Sequence, residues 1–238
     1  MRISVPQVLP VSILSIAALT GCGHFTSGPA RTETLSVALD HAESISAELK
    51  MGAGELRVSG GSAKLMDGEF TFTAAELRPE VHYDASQSIG HLRIEEPSNT
   101  RFNKGDYRWD VRLNDAKPID LQVNFGAGEG DLEIGTLNLR SVDVQMGAGE
   151  LRLDLRGKPE RDYNVSVRGG VGEATIYLPQ NVGIVADVKG GIGEIDAGGL
   201  EKRDGLYVNR LEGHPKIFEG LLFVIDVENA AAGMGIGI

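Results

Sequence analysis

The chain has 238 residues, of which 41% are apolar and 24% are charged, and its formal net charge is -11. This acidity argues against electrostatic binding to nucleic acid or to anionic lipid, because both require clustered positive charge. The single cysteine, Cys22, excludes an internal disulfide, so stability has to come from packing and from backbone hydrogen bonds.

The N-terminus has the pattern of an export signal. Residues 1–21 carry one early charge, Arg2, and a mostly apolar run that leads into Leu19-Thr20-Gly21-Cys22. This ending resembles the lipobox of bacterial lipoproteins, in which the signal is cut before the cysteine and the cysteine is acylated. We predict a lipoprotein signal peptide at 1–21, lipidation at Cys22 with palmitate-type chains, and a flexible tether at 22–34. An ordinary secretory signal is the alternative.

The lipobox also predicts where the protein resides. More than one acyl chain anchors a protein stably, so acylated Cys22 would hold this chain on its membrane. The location is then the bacterial cell envelope, on the extracytoplasmic side. Gly23 after the cysteine resembles the outer-membrane sorting class, which implies the outer membrane if two membranes are present.

Residues 35–115 are predicted to be an irregular β N-terminal region. Apolar residues alternate with polar ones at a period of two, which is typical of half-buried strands. Trp109 lies in one such alternation, so we place it in the core rather than in a sugar-stacking platform. The polar stretch from Glu95 to Gly105 is predicted to be a loop and a variable contact surface.

Residues 116–238 contain a repeat. The motif Gly-x-Gly-Glu occurs five times in the chain, and from its second copy onward the spacing of the second glycine is 21, 23 and 21 residues. Such a period is typical of stacked supersecondary units. We assign the glycines to sharp turns, since glycine adopts positive φ freely and lets neighbouring coils approach. They are Gly52, Gly54, Gly126, Gly128, Gly147, Gly149, Gly170, Gly172, Gly191 and Gly193.

The pattern predicts an all-β fold, a stacked parallel β-solenoid that resembles a β-helix and has two short strands in each coil of 21 to 23 residues. An antiparallel β meander or sandwich fits the same alternation and is the alternative. The apolar run Leu221 to Val227 is predicted to be a strand covered on both faces. The near-match Met234-Gly235-Ile236-Gly237 suggests that the repeat continues to the C-terminus.

The motif glutamates would form a ladder if the coils stack. Neighbouring strands lie about 4.8 Å apart, so the carboxylates would repel unless cations or arginines compensate them, and Arg57, Arg152 and Arg168 lie nearby in sequence. The ladder offers oxygen ligands to a divalent cation; the alternative is that each glutamate accepts a hydrogen bond from turn amides or faces water. We predict no metal and no cofactor and name the ladder as the candidate: Glu55, Glu129, Glu150, Glu173 and Glu194.

The sequence contains no recognisable catalytic motif. Gly-x-Ser-x-Gly, His-Glu-x-x-His and nucleotide-binding loops are all absent from it. The carboxylates Glu95, Glu96, Asp106 and Asp110 surround the long loop, and some β-helices act on polysaccharides. The alternative function is therefore a carbohydrate-active enzyme or a polysaccharide-binding protein on a β-helix, but we predict that the chain is not an enzyme.

Several segments together resemble the toast-rack family of bacterial domains of unknown function, whose neighbours include the C-terminal domain of LiaF-like proteins. They are Arg108 to Asn114, Pro118 to Leu121, Gly126 to Leu132, the other Gly-x-Gly turns, and Gly205 to Asn209. The resemblance implies a stacked β architecture without established catalysis. LiaF-like relatives sense envelope stress by binding membrane partners. We predict a lipid-anchored scaffold or binding module for a protein or an envelope polymer, and no nucleic-acid partner.

Overall fold

The computed structural model describes residues 29–98, 106–180, 182–192, 195–209, 222–231 and 234–237. Its described part is almost entirely β-structure with one 3₁₀ turn, Ala75–Leu77. In chain order the described strands are β1 Arg31–Val37, β2 Ser44–Ser59, β3 Met66–Phe72, β4 Glu80–Ser86, β5 Ile89–Glu95, β6 Arg108–Leu113, β7 Ile119–Glu133, β8 Leu139–Asp154, β9 Tyr163–Tyr177, β10 Gly183–Ile192, β11 Ile195–Gly198, β12 Glu201–Arg203, β13 Leu206–Val208, β14 Leu222–Ala231 and β15 Met234–Gly237.

The centre of the fold is a parallel stack. Strands β2, β7, β8 and β9 pair side by side in the same direction, and each pair stays in register through its Gly-x-Gly-Glu motif. One irregularity interrupts the stack, where Ile119 pairs with Leu139 and Asp120 pairs with Ser141. The prediction of stacked parallel β-structure is confirmed in this respect, and the antiparallel meander is wrong for the repeat.

Each coil differs from the prediction of two short strands joined by a turn. β2, β7, β8 and β9 are single strands of 15 or 16 residues that run through the motif. The motif is therefore a bend within a strand. In β7 the buried residues have odd numbers up to Phe125 and even numbers from Gly130 onward. The bend therefore shifts the inward–outward alternation by one residue. Both halves of the strand then contribute apolar side chains to one core.

The stack begins earlier than predicted. β2 lies within the predicted N-terminal region, yet it pairs with β7 from Ile45 to Ser59. β5 and then β4 extend the sheet beside the first half of β2, while β6, β3 and β1 extend it beside the second half. β1 starts at Arg31, so the last four residues of the predicted tether belong to a strand.

The C-terminal segment takes an unexpected position. β14 lies between β9 and β10 and pairs parallel with both, and β15 likewise lies between β9 and β11. The prediction of a strand near Leu221 to Val227 is confirmed from Leu222 onward. Met234 pairs with Ala174 of β9, which comes just after the motif Gly170 to Glu173. The segment Met234 to Gly237 therefore pairs with the strand beyond the bend and is not a further bend.

Candidate binding surface

The motifs line up across the stack. Gly54 pairs with Gly128, which pairs with Gly149 and then with Gly172, and the glutamates that follow them pair in the same order. Glu55, Glu129, Glu150 and Glu173 therefore form the predicted ladder at the level of the backbone. Gly193 and Glu194 lie outside the described residues.

The two glycines of each motif serve different purposes. In the four fully described motifs the second glycine has positive φ, for example +128° at Gly149, whereas the first glycine does not. A Cβ on Gly126, Gly147 or Gly170 would instead overlap the carbonyl oxygen of the glycine one coil earlier. The first glycine therefore permits close approach of neighbouring strands, and the second permits the bend as well.

The negative charge of the glutamate ladder is compensated by an arginine at one end only. Arg108 donates a hydrogen bond from Nε to Glu55 Oε2 at 2.6 Å, and this bond holds the pKa of the Glu55 carboxyl below its ordinary value. Among the described residues, Glu150 and Glu173 have no hydrogen-bond or ion-pair partner. The backbones of glutamates two strands apart are separated by about 10 Å, and the one group of three potential ligands that converges among the described residues lies elsewhere, at Glu80, His82 and Glu95.

This difference predicts opposite effects of two neutral substitutions. Glu150→Gln removes the repulsion between Glu150 and its two neighbours, Glu129 and Glu173. It should therefore raise the free energy of unfolding by about 1 kcal/mol at low ionic strength. Glu55→Gln loses the bond from Arg108 and should lower it by about 0.5 kcal/mol. Thermal unfolding at 10 mM and 1 M salt measures both, and high salt should abolish the gain from Glu150→Gln.

The pH dependence gives a second check on the Glu55 pair. The folded-state pKa of Glu55 is lowered, so its contribution is present above the ordinary value of 4.5 and is lost as the pH falls through the lower folded-state pKa. The difference between wild type and Glu55→Gln should therefore vanish in acid. If Glu150→Gln and Glu55→Gln changed the free energy of unfolding equally at every salt concentration, the idea that only Glu55 is charge-compensated would be contradicted.

The predicted arginine compensation takes another form. Arg152 pairs with Asp131 at 2.9 Å and with Glu133 at 3.0 Å, and its guanidinium lies 5.1 Å from the ring centroid of Tyr177. Arg168 pairs with Asp143 at 2.8 Å. Arg57 lowers the pKa of Glu55 by its charge alone, and by less than Arg108 does. Arg152 and Arg168 therefore neutralise other carboxylates of the stack, not the motif glutamates.

A groove crosses the strands beside the bend. Its volume is about 740 Å³, and its floor includes the first motif glycines of four coils and the residues just before them. We call it the bend groove and define its polar row as Lys50, Asn124, Gln145 and Arg168. These four residues pair with one another in order along the sheet, so the row repeats at the spacing of neighbouring strands.

The polar row offers hydrogen bonds more than charge. Lys50 is paired at 2.7 Å with Glu48, which also pairs with Arg93, and Arg168 is paired with Asp143, so each cation of the row lies beside a carboxylate. Gln145 has one long contact, 3.4 Å from its Nε2 to Asp143, and Asn124 has no partner among the described residues. The residues that follow the first three members of the row in sequence, Met51, Phe125 and Met146, are buried in the core. The groove is therefore suited to a neutral, extended ligand with many hydroxyl or amide groups.

One wall of the groove comes from the predicted loop. Glu96, Pro97 and Ser98 line it, and Glu96 Oε2 accepts a hydrogen bond of 2.7 Å from the backbone N–H of Gly52. This bond fixes the start of the loop against the first bend. Residues 99–105, the rest of the predicted contact loop, lie outside the described residues.

The loop carboxylates do not converge on one site. Glu95 lies beside Glu80 and His82, whereas Glu96 binds Gly52 within the groove. Asp110 is in β6 and pairs with Arg57 of β2 and with Glu69 of β3. Glu80, His82 and Glu95 are the one group of three potential metal ligands among the described residues, and sequence reasoning did not find it because β4–β5 pairing brings it together.

The sequence also concealed the groove residues, although a signal for them exists. Lys50, Asn124, Gln145 and Arg168 each lie two positions before the first glycine of a motif. Trp109, in contrast, is where the alternation placed it: it is fully buried, with ring centroids 5.8 Å from Phe70 and 5.9 Å from Tyr107. Cys22 lies outside the described residues. In the described part of the chain, no helix is long and apolar enough to cross a membrane.

The family follows from the sequence and the stacked fold together. The family model described as the N-terminal domain of toast_rack, DUF2154, matches residues 26–177. The chain belongs to this family, as the resemblance in its bends and in β6 predicted. No curated protein matches the chain.

Solved structures support the same architecture. A candidate cell adhesion protein from Clostridium sporogenes is 29% identical, has a TM-score of 0.78, and is matched over 88% of this chain and 99% of its own. Candidate adhesins from Bacteroides fragilis and Parabacteroides distasonis are each 10% identical, with TM-scores of 0.33 and 0.26. Their matches cover 88% and 89% of this chain and 97% and 98% of theirs, and at these scores they add no argument.

Proposed function

We propose that the chain is a non-catalytic binding or scaffold module, lipid-anchored on the extracytoplasmic side of the bacterial cell envelope, whose ligand lies in the bend groove. The observation that carries this proposal is the polar row, in which four strands present hydrogen-bonding side chains at a fixed spacing. A row held by backbone pairing is organised before the ligand arrives, which reduces the entropy lost on binding.

The structural relative supports a binding role. It is described as a candidate cell adhesion protein and shares the fold over nearly its whole length. Adhesion requires a rigid surface outside the cytoplasm, which agrees with the lipobox at Cys22. Envelope-stress sensing, the role of LiaF-like relatives, is the more specific proposal and depends on a membrane partner.

The groove favours an envelope polymer as the ligand. A polymer with repeating hydroxyl or amide groups can contact Asn124 and Gln145 in succession. A strongly anionic polymer fits less well, because Lys50 and Arg168 are already paired with carboxylates.

Co-sedimentation with isolated envelope polymers tests this proposal. The double substitution Asn124→Ala and Gln145→Ala removes two uncharged hydrogen-bonding groups and should weaken binding about tenfold. Glu133→Ala is the control, since Glu133 is exposed on the other half of the strand. Equal loss of binding in the control and in the double variant, or no loss in either, would refute a ligand in the groove.

The anchor is tested separately. We expect Cys22→Ser to abolish incorporation of labelled palmitate and to release the protein from membranes into the soluble fraction, because one residue carries all acylation. A Ser27→Ala variant serves as the matched control in the tether. Continued membrane association of Cys22→Ser without label would show that something other than lipid holds the protein there.

A further inference from the structure

The strand β4 has one open edge. It pairs antiparallel with β5 from Glu80 to Ser86, and no other described strand pairs with it. Edge strands of natural proteins are usually protected by lysine, proline or a bulge, since an open edge recruits other strands. Within Glu80–Ser86 there is no lysine, proline or register shift, and the charged groups of the strand are the carboxylates of Glu80 and Asp84.

Backbone geometry decides which groups of β4 face this edge. The N–H of Glu96 donates to Lys50 at 3.0 Å, so even residues at this end of β5 direct their backbone groups toward β2 and odd residues toward β4. Glu95 pairs with Glu80, and Arg93 pairs with His82. The even residues of β4 are therefore bonded to β5, and the N–H and C=O groups of Val81, Tyr83 and Ala85 point outward.

We propose that a second copy of this chain adds to this edge, with the two β4 strands antiparallel about a two-fold axis at Tyr83. In this register Tyr83 bonds with Tyr83 of the second copy, and Val81 with its Ala85. All seven residues of β4 overlap. Registers centred on Val81 or Ala85 satisfy the same backbone geometry but overlap only three residues. Registers centred on His82 or Asp84 also satisfy it, but they overlap only five residues and oppose like charges, Glu80 to Asp84 in the first and Asp84 to itself in the second.

The side chains of β4 are self-complementary in this register. His82 lies opposite Asp84 of the second copy, and Asp84 lies opposite its His82, so the pair occurs twice. Both occupy positions without backbone bonds between the copies, where opposed side chains are closest. Both residues are exposed, His82 with 61% of its side chain accessible, and Glu80 faces Ser86 without a like charge.

The apolar side of β4 also favours association. Val81 and Tyr83 are half-buried and line a groove of about 630 Å³ together with Leu35 and Val37 of β1. Burial of these side chains in a contact between two copies would remove apolar surface from water. The proposed contact is made by β4, which contributes no residue to the bend groove, so it goes beyond the binding function and does not depend on it.

Proline at position 85 tests the backbone pairing. The N–H of Ala85 points away from β5, so Ala85→Pro keeps the monomer's own bonds and removes a donor from each side of the dimer. Analytical ultracentrifugation of the lipidated chain in density-matched detergent should show a monomer–dimer equilibrium for wild type and for Ala85→Ser. The dissociation constant should rise at least tenfold in Ala85→Pro.

Charge exchange tests the register independently of proline. His82→Glu alone places like charges opposite each other and should weaken the dimer about tenfold, whereas Asp84→Lys removes the carboxylate opposite His82 and should weaken it less. The double variant H82E/D84K restores opposite charges and should recover wild-type affinity. A wild-type chain that is monomeric at every concentration, a dimer unaffected by Ala85→Pro, or a double variant as weak as the single ones overturns the proposal.

Discussion

Gly149→Ala is expected to lower the free energy of unfolding by about 3 to 5 kcal/mol. Two costs add at this position. Its φ of +128° lies in a region that residues with a Cβ rarely adopt, and a Cβ there would overlap the carbonyl oxygen of Gly128 in the neighbouring coil. The second cost cannot be relieved by a side-chain rotation, because the obstacle is backbone that is itself paired with β8.

Gly61→Ala separates the two costs. Gly61 has a φ of +90°, but a Cβ built on it meets nothing within 4 Å. Its substitution should cost only about 1 to 2 kcal/mol, from the backbone conformation alone. Urea unfolding monitored by far-UV circular dichroism measures both variants. Equal destabilisation of the two would show that close approach of the coils contributes nothing to the bend.

Trp109→Ala is expected to cost about 3 to 5 kcal/mol, through the loss of buried area and the cavity that remains. Trp109 is completely buried in β6, opposite Leu56 of β2 and Phe70 of β3. Trp109 therefore joins the three shorter strands β1, β3 and β6, which we call the cap, to the first coil of the stack. Its edge-to-face contacts with Phe70 and Tyr107 add to the loss.

A smaller substitution checks that this effect is a packing effect. Trp109→Phe keeps an aromatic ring and should cost less than half as much as alanine. Near-UV circular dichroism reports on the packing around the site, and hydrogen exchange should show the amides of β3 and β6 losing protection before those of β8. Uniform loss of protection over the stack would mean that the cap and the stack unfold as one unit.

The repeat region shows why pattern alone predicted the stack and not its details. Alternation at a period of two specifies which side chains face the core, and Leu121, Val123 and Leu132 face it as the alternation requires. The same alternation is compatible with a turn or a bend at the motif. The choice depends on whether backbone pairing continues through Gly126 to Glu129, which is a contact between distant coils.

The candidate site likewise has one part that the sequence predicts and another that depends on tertiary contacts. The ladder of Glu55, Glu129 and Glu150 could be inferred from the even spacing of the motif. The bend groove could not, because its depth depends on how Glu96 and Pro97 lie against Gly52, across 44 residues of sequence. The β4 edge and the group of Glu80, His82 and Glu95 likewise exist only because β4 pairs with β5.

The sequence by itself determined that this chain is all-β, that its apolar residues alternate toward an interior, and that the glycine motifs change the direction of the chain, because these properties depend on local sterics and on the period of two. Tertiary structure alone decided the order of the strands, including the position of β14 between β9 and β10. Backbone hydrogen bonds between parallel strands are almost independent of side-chain identity. Several apolar strands fit equally well beside β9, and the choice among them rests on contacts that no local pattern records.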